Sequence, residues 1–153
     1  MYEAGKIRRT VPKGGANHPV FRVGEVHGRV TARAELVADM IAGIDSVKVT
    51  TNLWGERWSK LCLNGMRNGV SAATGLGGNE RDGHDRIRRV VIKLAGESVR
   101  VGQSLGLVLE RIAGRDGELY AGAAEGDPQA LAVVWEAVRD DGDGKTYTNW
   151  TAK

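Results

Sequence analysis

Lys60, Asn64 and Asn68 recur at four-residue intervals in the stretch NLWGERWSKLCLNGMRNGVSAATG, residues 52–75. On a helix that spacing puts three polar side chains on one face. One ammonium and two carboxamides in a row suit a small polar ligand. The lysine supplies charge and an acidic proton, and each amide offers a donor and an acceptor without adding charge. The remaining residues fit this helix, because Trp54, Trp58, Leu61, Cys62, Met66 and Val70 form an apolar stripe to pack behind it. Two glycines, Gly65 and Gly69, interrupt the pattern at about 1 kcal/mol each relative to alanine. Their presence predicts a kink or the close approach of a backbone or ligand.

The flanking sequence supplies the elements that would hold this helix. Residues 1–19 are rich in Gly, Lys and Pro and read as loop or extended chain. Val20–Val26 alternates like a strand, interrupted at Gly24. Thr31 is placed to cap a helix carrying Leu36, Val37, Met40 and Ile41, which Gly43 stops. Residues 46–51, SVKVTT, form a second alternating strand, which completes a βαβ-like unit. After the long helix, residues 75–83, GLGGNERDG, read as a loop. His84–Leu107 reads as a second long helix capped by Gly106, with Ile87, Val90, Val91, Leu94, Val99 and Leu105 largely on one side. Leu109–Leu119 and Asp127–Arg139 are further helical candidates, the latter opened by Asp127 and Pro128 as N-cap and first helical residue. The expected fold is mainly α with a small N-terminal β-α-β element, divided into 1–51 and 52–153.

Bulk properties narrow the function classes. The chain has 153 residues, room for about one ordinary domain. Apolar residues make up 41 %, enough for a core. No apolar run reaches bilayer length, and the first residues lack the apolar centre of a secretory signal, so a cytoplasmic protein is expected, with no membrane partner. Cys62 is the sole cysteine, which excludes an internal disulfide and a cysteine-built zinc site, and its place on the apolar stripe makes it a core residue. His18, His27 and His84 lack metal-ligand spacing, so no metal is expected. Glu25 and Glu56 are carboxylates whose separation nothing in the sequence sets; they read as surface or structural groups. The net charge is +3. Its cations, including Lys6, Arg8, Arg9, Lys13, Arg86, Arg88 and Arg89, read as solvated surface. Nucleic-acid binding through Arg8, Arg9 and Arg86–Arg89 is the weakest of the functional readings, because no longer basic stripe or module signature accompanies them.

Trp58, Lys60, Leu61, Asn64, Asn68, Ser71, Ala72 and Gly75 together form W-x-K-L-x-x-N-x-x-x-N-x-x-[ST]-A-x-x-G. This pattern resembles the ketopantoate reductase (2-dehydropantoate 2-reductase) family at the start of its C-terminal helical domain, and the resemblance extends over roughly residues 5–110. It implies a helical domain of the ketopantoate reductase / 6-phosphogluconate dehydrogenase C-terminal-like type, preceded by a remnant of a Rossmann-type nucleotide-binding domain. It also implies NADPH-dependent reduction of a 2-keto acid to the 2-hydroxy acid. Lys60 would be the general acid and Asn64 and Asn68 the substrate ligands, with NADP as cofactor, a small 2-keto acid as substrate and a homodimer as the assembly.

Two departures from the family shape the expectation. The chain contains no G-x-G-x-x-G after a strand, the turn that seats a dinucleotide pyrophosphate. The late acidic residue of the family has no counterpart in residues 144–150, where Thr146, Thr148 or Asn149 would have to substitute. The sequence therefore reads as a truncated member of the family, inactive alone. The alternative is a non-enzymatic helical module that self-associates or pairs with a separate nucleotide-binding chain.

Overall fold

A computed structural model of the chain describes residues 19–140. They form a mainly helical protein with one two-stranded parallel sheet. The expectations for residues 1–18, including their basic side chains and His18, lie outside the described residues, as do those for Thr146, Thr148 and Asn149. The chain divides into two compact units, Met1–Leu53 and Trp54–Lys153.

The first unit is a β-α-β element. Strand β1 (Phe21–Val23) pairs in parallel with β2 (Val47–Val49), with Phe21 opposite Val47 and Val23 opposite Val49. Helix α1 (Ala32–Ala42) connects them. Thr31 caps α1 by accepting from the Ala34 N–H at 3.2 Å, which satisfies one of the free amides of the first turn. The buried residues of α1 are Ala34 and Ala38. Leu36, Val37 and Met40 are exposed, Met40 to 72 %, so much of the helix's apolar content faces outward.

The second unit is helical: α2 (Leu53–Asn64), a π-helical segment (Gly65–Gly69), α3 (Val70–Thr74), α4 (Gly78–Gly83), α5 (Asp85–Ser104), α6 (Gly117–Glu125) and α7 (Pro128–Asp140). Its core gathers Cys62, Met66 and Val70 from the first helical run, Val91, Ile92, Ala95 and Val99 from α5, Tyr120 and Ala121 from α6, and Val134 and Val138 from α7. Small residues let α5 and α6 pack closely: a Cβ on Gly96 would stand 2.3 Å from Ala124 Cβ and 2.9 Å from the Tyr120 carbonyl oxygen. Arg100 of α5 bridges Glu118 and Glu125 of α6, at 3.0 and 2.5 Å.

The expected helices are changed in four places. The stretch from 52 to 75 is not one uniform α-helix, because Gly65–Gly69 is wound as a π-helix. Its apolar stripe is narrower than expected: Cys62, Met66 and Val70 are buried, whereas Trp54 and Leu61 are about half exposed, Leu61 to 54 %. The expected loop at 75–83 contains α4. The expected helix at 109–119 does not form before Gly117. Ala113 and Gly114 turn with φ of 49° and 78°, Ile112 and Arg115 form a bridge, and Asp116 caps α6 through the Glu118 N–H.

Candidate functional site

Lys60 and Asn64 lie in α2, and Asn68 lies in the π-helical segment. Lys60 and Asn68 are exposed and Asn64 is half-buried. A row of residues four apart drifts by about 40° per step around an α-helix. The i→i+5 bonding of a π-helix widens the turn past four residues and removes most of that drift. On this winding Asn68 lies nearer the bearing of Lys60 and Asn64 than it would on a continued α-helix. The same winding keeps Cys62, Met66 and Val70 in line on the buried side, where the row is nine-tenths or more enclosed.

Gly65 and Gly69 bracket this segment. A Cβ at either would meet nothing within 4 Å, so neither glycine accommodates a neighbouring element of the chain. Open space lies beside the polar row at these points. After α3 the helical run ends at Gly75, whose φ of 72° is left-handed and whose N–H donates to the Ser71 carbonyl at 2.8 Å.

The segment is braced from α4. Arg81 is 4 % exposed and Asp82 2 %. Arg81 forks onto the Asp82 carboxylate through Nε and Nη2, both at 2.7 Å. Its Nη1 donates to the Arg67 carbonyl at 3.0 Å and to Ser71 Oγ at 2.8 Å. Arg88 Nε donates to the Asp82 carbonyl at 2.8 Å, and its guanidinium carbon sits 4.5 Å from the centre of the Trp135 ring. Arg88 is thus buried, contrary to its expected place on the exposed face of α5, because it spans α4 and α7. Arg86 and Arg89 are exposed.

A shallow cavity of about 240 Å³ lies between α2 and α5, lined by Trp58, Leu61, Cys62, Glu97, Ser98 and Val101. It includes none of Lys60, Asn64 and Asn68. Trp58 Nε1 donates to the Ser98 carbonyl at 2.9 Å, which ties α2 to α5 there. Burial pushes the Cys62 thiol up to about 11, so it lacks the thiolate character of a nucleophile.

The β1–α1 turn is where a βαβ unit would seat a dinucleotide. Glu25 accepts from Arg33 Nε at 3.0 Å and Nη2 at 2.6 Å and from Thr31 Oγ1 at 2.6 Å. These hydrogen bonds, Arg33 first and Thr31 second, lower its carboxyl to about 2. An ionised carboxylate therefore sits on the N-cap residue of α1, where a pyrophosphate would need amides and positive potential. A Cβ on Gly24 would stand 2.7 Å from the Thr50 carbonyl oxygen, so that glycine serves strand packing. This turn does not fit the phosphates of NADP. Among the described residues no group of three or more His, Cys, Asp or Glu side chains is placed to hold a metal, and no helix is long and apolar enough to cross a membrane.

Sequence reasoning singled out the polar row and missed the π-helical segment and the Arg81 brace. The winding had a signal: both the polar and the buried row repeat every four residues without the three-residue steps of an α-helical face. The brace had none, because an Arg-Asp pair between glycines has the composition of a loop. Comparison with protein-family models, with curated proteins and with solved structures finds no match for this chain.

Proposed function

We propose that this chain is a ketopantoate reductase-like protein whose Lys60–Asn64–Asn68 row binds a small 2-keto acid. The observation that supports this reading is the π-helical winding between Asn64 and Val70, whose wider turn counters the drift of residues four apart, beside two open glycines. A 2-keto acid presents a carboxylate next to a ketone. The Lys60 ammonium suits the ketone oxygen, where it would stabilise developing negative charge and supply the proton that makes the hydroxyl. Asn64 and Asn68 would hold the carboxylate and any further hydroxyl through their amide N–H groups. The parent reaction in this reading is the NADPH-dependent reduction of 2-dehydropantoate or a related acid. Because the β1–α1 turn does not suit a pyrophosphate, the hydride donor is not assigned to that turn.

The test is a titration of the full-length, ¹⁵N-labelled chain with 2-dehydropantoate. The expected result is saturable shifts of the Asn64 and Asn68 side-chain amides, lost in Lys60→Ala. Absence of shifts at millimolar ligand would overturn the proposal.

A second reading is favoured by a different observation. Leu36, Val37, Met40 and Ile44 are exposed in the β-α-β unit. Such a surface suits a module that pairs with another copy or with a separate nucleotide-binding chain. Light scattering on a sizing column separates this reading from the first: a monomer at all concentrations argues against self-association.

A further inference from the structure

We propose that Arg81 is a positioning residue for the polar row, holding Gly65–Gly69 in π-helical winding and so fixing Asn68 in line with Asn64 and Lys60. The inference rests on the reading that this row takes a 2-keto acid. Asn68 is bracketed by the two acceptors of one nitrogen: Arg81 Nη1 reaches the Arg67 carbonyl just before it and Ser71 Oγ three residues after it. The brace thus reaches the helix through Arg67 and Ser71, on a flank of the polar row, and makes its hydrogen bonds to neither Lys60 nor the two asparagines.

The guanidinium is well placed to act as a rigid strut. Its other edge is committed to Asp82 in a two-point fork, which fixes the plane of the group as well as its position. Asp82 is itself held, since its carbonyl accepts from Arg88, and Arg88 is stacked on Trp135. A continuous line of contacts therefore runs from α7 through Arg88, Asp82 and Arg81 into the π-helical segment. The row's own glycines supply no such restraint, because both face open space. A π-helical turn is less favourable than an α-helical one and persists where surrounding contacts maintain it. Met66 and Val70 restrain it from the core; Arg81 holds the backbone carbonyl just before the residue that would touch ligand and the Ser71 hydroxyl just after it.

The inference predicts a loss of affinity that does not require loss of fold. The full-length chain is compared with Arg81→Lys and Ser71→Ala, with 2-dehydropantoate as the probe, well below the thermal transition. Lysine keeps the charge and cannot serve the fork and both acceptors together. Arg81→Lys is expected to weaken binding at least tenfold and Ser71→Ala about threefold, with amide exchange accelerated in residues 66–70 and unchanged in residues 53–63. Wild-type binding that Arg81→Lys retains in full would overturn this inference and leave the keto-acid reading standing. No binding by the wild type would overturn both. Should Arg81→Lys fail to fold, Ser71→Ala decides, because it leaves the Arg81–Asp82 pair in place: unchanged affinity and unchanged exchange in residues 66–70 would sink the proposal.

Discussion

A Cβ on Gly102 would stand 2.4 Å from Nε1 of Trp58 and 2.5 Å from its Cδ1. The indole therefore lies directly on the α5 backbone, and its N–H reaches Ser98 one turn earlier. Gly102→Ala must displace that ring. The expected loss is about 1–3 kcal/mol from overpacking, offset in part by the better helix propensity of alanine. Chemical denaturation followed by tryptophan fluorescence would measure it. A neutral or stabilising result would show that the ring is free to move.

Glu25 gives the β-α-β unit a dependence on acid. Its carboxyl is lowered from 4.5 to about 2 by the hydrogen bonds from Arg33 and Thr31. A depressed folded-state value means that the charged form favours folding. The contribution is present above about 4.5 and is lost as pH falls toward 2. Protection of the α1 amides, the ratio of intrinsic to observed exchange rate, should fall as the pH is lowered across that window in the native protein. Glu25→Gln should remove the dependence, leaving α1 equally labile on both sides of it.

Cys62 should report unfolding. It is fully buried, and its thiol is pushed up to about 11 by burial. At pH 8 the native protein should react with a disulfide reagent only through opening of the core. Labelling rates should therefore follow denaturant concentration through the unfolding transition. Rapid labelling of the folded protein would mean that the α2–α5 cavity, which Cys62 helps to line, admits the reagent.

Asn68→Ala should separate binding from stability. Asparagine is a poor helix former whose exposed side chain here contributes nothing to the core. Replacing it should raise stability by about 0.5 kcal/mol. The same change should weaken 2-dehydropantoate binding several-fold. Loss of stability without a change in binding would remove Asn68 from the proposed row.

The parts of the fold legible in the sequence are those written in local chemistry. Thr31 and Asp127 mark helix starts because each side chain satisfies amides that the first turn leaves free. Gly106 marks the end of α5 because φ is 75° there. The apolar residues at 109, 112 and 119 fit a helical period, yet the Ala113–Gly114 turn takes precedence, and Ile112 is buried from a non-helical backbone. Arg88 looks like its neighbours Arg86 and Arg89 in sequence, and only the placement of Asp82 and Trp135 separates it from them. The polar row was legible as a spacing. The contacts that the π-helical segment makes with α5 and with Arg81 of α4 were not, because they join residues distant in sequence and no local propensity encodes them.

The π-helical segment gives this helix one residue of slack. Each residue of an α-helix advances the chain by about 100°, and a π-helical residue by less, because its turn holds more residues. Deleting one residue between Gly65 and Gly69 would let the segment rewind as α-helix, since four α-helical residues turn through about the angle that five π-helical ones span. Cys62 and Val70 would then keep their places in the core, provided Met66 is spared. Substitutions at the two open glycines likewise meet no steric barrier. The same deletion in α5, between Ile92 and Val99, would turn one from the other by about 100°. Single-residue deletions should therefore be far better borne between Gly65 and Gly69 than within α5.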